Sequence, residues 1–471
     1  MVEVLSPRAW ARREFGQSEL GDKRRTRRAV EYAAAAAAAP SRSIPDQCRG
    51  AWKKTKGAYR LFDQPQVSFQ KLQEPHRRQT REAAVAAGTV LWISDTTTLS
   101  FNHPATDGLG PTSGGGSGQG MLLHTTMGVD VSAGVEGPPM VLGLGHQQCW
   151  VRSGRAKGKK ALPESAKWSA GIQAIGTPAA QVRWVHVGDC ESDCWEAIES
   201  CRGQGSGFAI RACQNRQVIA GHPDAQEQAG SPPKVELLFE LLERQPMLGG
   251  KHLWVRGRGD QGPRWAKLAV CAMPLTLLPP KNWSDKPHRK GKPRPDPLAC
   301  WAVRVWEIDP PAGQEPIEWV ILTDEPAGDL LSAMKVVHWY SCRWLVEEYH
   351  KCLKSGCRVE ERQLEQAGRL EALVGILAVV AVRLLQLKHQ AKVNPDAPAE
   401  NVVPDRYVRT LAAYLKQSTP LTARQFWRET ARLGGFLGRQ ADGDPGWITL
   451  WRGWQYLETL TDGMELAKRR R

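Results

Sequence analysis

The chain's apolar and polar positions follow three successive rhythms. In the first seventy residues the pattern is helical. LGDKRRTRRAVEYAAAAAAAP carries a Gly-Asp start signal at Gly21 and Asp22 and a stop at Pro40, and its alanine run means helix and nothing more. From Val90 the rhythm becomes that of strands. VLWISD is a short apolar run ending in an acid, MLLHTTMGVDV and PPMVLGLGHQQCWV read as two further strands, ESAKWSAGIQAIG as a helix, and VRWVHVGDCESD as another buried strand ending in an acid. Strand, strand, strand, helix, strand predicts a mixed α/β sheet. Residues 208–324 read as β-rich, with VELLFELLER as a helical exception, and from Leu330 onward the pattern is mostly helical.

One helical stretch concentrates chemistry. In YSCRWLVEEYHKCLK, at about 100° per residue, Tyr340, Arg343, Glu347 and Lys354 fall within an arc of roughly 60°. Cys342, Leu345, Val346, Tyr349, Cys352 and Leu353 gather behind them as a core stripe. His350 and Lys351 flank the polar stripe, and Glu348 lies off it. Periodicity alone is equally compatible with an exposed face laced by pairs such as Arg343 with Glu347.

Charge sharpens this picture. Sixty-four Lys+Arg against 49 Asp+Glu leave +15, with a pI near 9.4. Such an excess favours a polyanionic partner, nucleic acid foremost, although an Arg-rich composition that merely confers solubility would produce it too. Five basic residues crowd between Lys23 and Arg28, and Trp52, Lys53, Lys54 and Lys56 add a second cluster, pointing to a module that grips a DNA backbone. The eleven scattered cysteines include no CxxC pair, and no signal peptide precedes them, so reduced thiols in a cytosolic protein are expected. Zinc sites usually need two close pairs, which the Cys190/Cys194 and Cys352/Cys357 spacings do not supply. The longest apolar run, Ala372 to Val382, is short of a membrane span and predicts a buried core helix. Of nineteen tryptophans most should fill cores, and a minority could stack bases.

Asp95 and Asp189 each close a predicted buried strand, where α/β sheets place ligand-binding groups, although such an aspartate can equally form a turn or cap a helix. Together with Glu347 they make an all-oxygen set suited to hard divalent ions. Two such ions can promote phosphodiester displacement while adjacent Arg and Lys hold phosphates. P-loop, HExxH and GxSxG signatures are absent, and GLGHQQ is not a dinucleotide fingerprint.

Asp95 in WISDTTTLS, Asp189 in VGDCESD, and Tyr340, Arg343, Glu347 and Lys354 resemble the Asp-Asp-Glu triad and Tyr-Arg-Glu-Lys signature of the insertion-sequence-four family of transposases. The likeness runs nearly end to end, through LGDKRRT, GAYRLFDQP, ESAKWSA, EWVILTDEP, AVRLLQL and RLGGF. It implies an α/β fold with a ribonuclease-H-like catalytic core interrupted by a β-rich insertion at about residues 215–325. A helical DNA-binding domain (1–70) would precede the catalytic domain (71–369), and a helical dimerisation domain (370–471) would follow it. It also implies two Mg²⁺ ions, with Mn²⁺ able to substitute, on Asp95, Asp189 and Glu347. Excision would proceed through a DNA hairpin, and the 3′-OH ends would join target DNA. Tyr340, Arg343 and Lys354 would hold the DNA end, Trp319 would stack a flipped base, and Lys351 and Arg211 would add contacts. The resemblance further implies a homodimer pairing two ends of double-stranded DNA, in the bacterial cytoplasm at the nucleoid. With the basic clusters already noted, Lys23, Arg24, Arg25 and Arg27 become candidate DNA contacts.

Overall fold

A computed structural model of the chain describes residues 5–101, 106–112, 118–152, 163–221, 234–255, 262–285, 289–417, 420–439 and 442–469. Residues 113–117 of the Gly/Ser-rich sequence GLGPTSGGGSGQG, 286–288 of the Pro/Lys-rich sequence NWSDKPHRKGKPRPDP, and the final two residues of the basic C-terminus lie outside them.

Five helices come first: α1 (Pro7–Phe15), α2 (Lys23–Ala38), α3 (Ile44–Gln47), α4 (Trp52–Phe62) and α5 (Phe69–Ala86). Asp22 caps α2, its carboxylate accepting the Arg24 N–H at 2.7 Å. The helix ends one residue before the position preceding Pro40; Ala39, which the proline ring bars from helical geometry, has φ −145°. Ala29, Tyr32, Ala33 and Ala36 form the buried stripe of α2.

The sheet region follows as β1 (Thr89–Ser100), β2 (Gly110–Pro111), β3 (Gln119–Asp130), β4 (Met140–Trp150), α6 (Ala166–Ile175), β5 (Arg183–Gly188), α7 (Trp195–Gly203) and β6 (Gly207–Arg211). It continues as β7 (Gln217–Ala220), β8 (Val235–Leu237), α8 (Leu238–Glu243), β9 (Gly249–Val255), β10 (Arg264–Leu277), β11 (Leu298–Ile308) and β12 (Glu318–Thr323). Among the described residues all twelve strands form one sheet, ordered β2-β3-β1-β5-β6-β12-β11-β10-β7-β8, with β4 beside β3 and β9 beside β10. One half reads β4-β3-β1-β5-β6, with β1, β5 and β6 parallel and β3 antiparallel to β1 and β4. The other half is antiparallel and joins it through β12 on β6, so the β-rich segment extends the sheet rather than standing apart. VELLFELLER, expected as a helix, splits: Val235–Leu237 pairs with β7, and the helix begins only at Leu238.

The rest is helical: α9 (Leu330–Ser341), α10 (Trp344–Lys351), α11 (Ala367–Val393), α12 (Asp405–Leu415), α13 (Ala423–Leu433) and α14 (Trp447–Arg469). In α11 the apolar span is longer than the run read from the sequence, and Ala367–His389 passes the length and composition test for crossing a membrane. Within that stretch 89% of the most apolar window is buried in the protein, so it serves as a core helix. One apolar cluster reaches from Trp10 and Phe15 in α1 through Leu91 and Ile93 in β1 and the length of α11 to Trp454 and Leu457 in α14. A second, with Trp168, Trp195, Phe208 and Leu275, covers the opposite face at β6, β10, β11 and β12, and a third, with Val90, Trp92 and Trp184, covers it at β1 and β5. Strands such as β1 are therefore apolar on both sides, which is why VLWI shows no alternation.

Candidate active site

The parallel pairing of β1 with β5 ends at Ile93 opposite Val187. Two residues further along each chain lie Asp95 and Asp189. Asp189 follows the end of β5 and caps a short turn, its Oδ1 accepting the Glu191 N–H at 2.9 Å. Asp95 was expected at a strand end, but β1 runs on to Ser100 because β3 continues to pair with it, Asp95 lying opposite Thr125. Asp95 is thus exposed to the site by the ending of its neighbour, not of its own strand.

The polar stripe is also built differently from its expectation. Residues 340–354 are not one helix. Tyr340 closes α9, Arg343 starts α10, Glu347 lies in its first turn, and Lys354 sits in a π-helical turn at Cys352–Gly356. Tyr340 is buried rather than on an open face, its ring 5.5 Å from that of Trp319, with the Arg343 guanidinium 5.9 Å away. Arg343 Nη2 donates to Glu347 Oε1 at 2.7 Å. Arg211, at the end of β6, donates to the Glu318 carbonyl at 3.0 Å and sends its charge toward Tyr340. Lys354 Nζ is 3.6 Å from Glu360, whose carboxylate also accepts the Ser100 N–H at the end of β1. Lys351 is exposed. Tyr340, Arg343, Glu347, Trp319 and Arg211 are therefore neighbours in space, although no single helix face carries them, and Lys354 is tied to the end of β1 through Glu360. The core stripe behind them is buried as expected.

Electrostatics ties the three carboxylates together. Burial raises the Asp95 carboxyl, the charges of Asp189 and Glu347 raise it further, and the Thr96 N–H and Arg343 hold it back; the result is about 6. Crowded carboxylates of this kind suit a hard divalent cation, which would relieve their repulsion, and all the donors are oxygen. Among the described residues, no three His, Cys, Asp or Glu side chains are yet gathered closely enough to ligate a metal. One oxygen of Glu347 is engaged by Arg343. The set fits such ions in donor chemistry and would have to draw together around them.

Three neighbours escaped the sequence reading. His350 was placed beside the polar stripe; instead it is buried, with Nδ1 3.7 Å from Asp95 Oδ2. Trp344 is 54% exposed with the Arg343 guanidinium 5.8 Å away. Glu360 anchors Lys354, a contact no local spacing foretells. Glu348, the second glutamate, is half-buried like Glu347 but turns to α11, where it pairs with Lys388 at 3.2 Å and His389 at 3.7 Å.

Away from this cluster, Lys23 and Arg27 line a cleft of about 1590 Å³ together with Lys53 and Lys54. Arg24 turns onto Asp22, and Arg25 donates to the Leu20 carbonyl at 3.0 Å. Of the four basic candidates on α2, two face the cleft and two serve the helix start.

Comparison with known families now bears on the identity. Residues 7–67 match the transposase DNA-binding family, and residues 379–470 match the Transposase Tn5 dimerisation domain. Both matches support a Tn5-like transposase. Assignment to the insertion-sequence-four family fits these matches. In this Tn5-like chain the carboxylate cluster lies between the two matched segments. The cryo-EM structure of a piggyBac transposase synaptic complex with hairpin DNA aligns over 97% of this chain and 86% of that one, at 8% identity and a TM-score of 0.38. A likeness that loose carries no argument.

Proposed function

We propose that this Tn5-like transposase is a cut-and-paste enzyme whose catalytic carboxylates are Asp95, Asp189 and Glu347. What supports the reading is that Asp189, after β5, and Glu347, at the start of α10, both lie near enough to Asp95 on β1 for their charges to raise its carboxyl. The strand order β4-β3-β1-β5-β6, with only β3 reversed against its neighbours β1 and β4, supports a ribonuclease-H-like core. On this reading residues 1–70 bind transposon ends, 71–369 hold the chemistry and the β-rich insertion, and 370–471 pair two protomers.

Asp95, Asp189 and Glu347 would hold two Mg²⁺ ions, or Mn²⁺ in their place. When bound, the ions supply the positive charge that phosphodiester displacement needs. The chain's own groups do the positioning. Arg343 and Lys354 grip phosphates beside the cluster, and Arg211 and Lys351 extend that grip. Trp319, packed against Tyr340, offers a ring for a base turned out of the duplex as a hairpin forms. The freed 3′-OH ends then join target DNA in the bacterial cytoplasm, at the nucleoid.

Supercoiled plasmid carrying matched ends, incubated with the protein and Mg²⁺, tests the proposal. Nicked, excised and joined products are expected. End binding without cleavage would mark a silent DNA-binding relative, and cleavage without joining a metal-dependent nuclease; either outcome overturns it.

A further inference from the structure

Behind Asp95 lies a buried chain of polar side chains that reaches a cation far from the cluster. Arg77, on α5, can only donate hydrogen bonds. Its Nη2 donates to Gln73 Oε1 at 2.5 Å, which fixes that amide with its nitrogen outward. Gln73 Nε2 then donates to Gln147 Oε1 at 2.8 Å. Gln147 in turn points its nitrogen at Thr125 Oγ1, at 2.8 Å, and at the Tyr349 hydroxyl, at 2.9 Å. Thr125 Oγ1, accepting from Gln147, keeps its own hydrogen for the remaining neighbour, His350 Nε2, at 3.4 Å. Thr125 is the residue directly opposite Asp95 in the β1–β3 register.

This polarity runs one way. A pure donor at one end sets each amide, and the Thr125 hydroxyl, which still has a hydrogen to donate, can hand that polarity on to the imidazole. If Nε2 accepts, the proton of the neutral ring must sit on Nδ1. That atom faces Asp95 Oδ2 at 3.7 Å, about 0.8 Å beyond an ordinary N–H···O length. Asp95 Oδ1 already accepts the Thr96 N–H at 2.8 Å.

We infer that His350 is a positioning residue held as its Nδ1–H tautomer by the Arg77–Gln73–Gln147–Thr125 chain, so that it offers a fixed donor to Asp95 Oδ2. Closing of that 3.7 Å gap would give each oxygen of Asp95 one protein donor, since Oδ1 already has the Thr96 N–H. Donors of this kind orient ligating groups, and their loss typically weakens metal binding by roughly 10–100-fold. This role rests on the proposed metal-binding function; the tautomer does not.

Nitrogen-15 NMR of the histidine rings in the metal-free full chain, assigned by the signal missing from His350→Gln, tests the tautomer directly. A neutral Nδ1–H ring at pH 7.5 is expected, shifting toward Nε2–H in Thr125→Val. A charged ring, an Nε2–H ring in the wild type, or no change in Thr125→Val overturns the inference, whatever the protein's activity. Direct Mn²⁺ titration by electron paramagnetic resonance tests the role. His350→Leu should weaken binding by roughly 10–100-fold, whereas His350→Asn, whose amide nitrogen takes the place of Nδ1, should largely restore it. Equal losses in two variants that melt like wild type would reduce His350 to packing. Wild-type protein that binds no Mn²⁺ would instead refute the proposed function.

Discussion

Half-buried Asp95 and buried Glu458 both have carboxyls pushed up, to about 6 and about 7. Burial is the first cause in each, but their surroundings differ in kind. Around Asp95 the further push comes from Asp189 and Glu347, brought in from separate elements, so the fold concentrates negative charge there. Around Glu458, on α14, the partners are mainly donors. Ser41 Oγ reaches it at 3.0 Å from the segment after α2 and Trp454 Nε1 at 3.0 Å from its own helix, with Arg42 nearby and only Asp462 opposing. The second site is internally satisfied and clasps the C-terminal helix to the N-terminal helices. The first leaves a repulsion that something from outside must relieve, and a raised carboxyl signals function only in that case.

Five experiments can break or sharpen this contrast. Glu347→Gln should reduce plasmid cleavage by on the order of 10²–10³-fold, the scale of losing one preorganised charged group, with end binding intact by gel shift. Loss of binding instead would mean that the cluster is structural.

Asp95→Asn should reduce cleavage to a similar extent yet raise thermal stability. The sign follows from a folded value above the unfolded one of about 3.9: the stabilisation is complete below the latter and lost as pH rises through about 6. At pH 8 the wild type therefore carries the full ionisation cost, and removing it should lift Tm by roughly 2–4 °C. Cleavage by the wild type at limiting Mg²⁺ should fall as pH drops below about 6, with the midpoint moving lower as metal is added.

Glu348→Ala should cut differently from Glu347→Gln. It removes the carboxylate between Lys388 and His389, so Tm should drop by roughly 2–4 °C while cleavage changes only a few-fold. Equal catalytic losses from the two glutamates would show that the assignment of faces is wrong.

Glu458→Gln should have the smallest catalytic effect: cleavage and metal dependence unchanged, with Tm raised by roughly 2–4 °C at pH 8 and by much less at pH 5. A cleavage defect comparable to that of Asp95→Asn would erase the distinction between the two carboxyls.

Much of this site was legible in the chain because its signals are local. Buried strands leading to Asp95 and Asp189 show as apolar runs, and adjacent glutamates on a helix must point about 100° apart. That rule separated Glu347 from Glu348, even though the helix breaks at Cys342–Arg343 and the long stripe it was drawn on does not exist as such. Arg25 illustrates the opposite case. It belonged to a dense basic cluster, yet it serves the Leu20 carbonyl, a partner that charge counting does not reveal.

By itself, then, the sequence determined the helical ends, the buried strands, the basic surplus and the three acids, since each depends on composition or on spacing within one element. Tertiary structure alone decided that β5 stops where β1 continues, that Tyr340 is buried against Trp319, that Glu348 holds α11, and that His350 turns inward toward Asp95. Those outcomes depend on which distant segment fills the space beside a residue, and packing between segments leaves no periodic mark on either one.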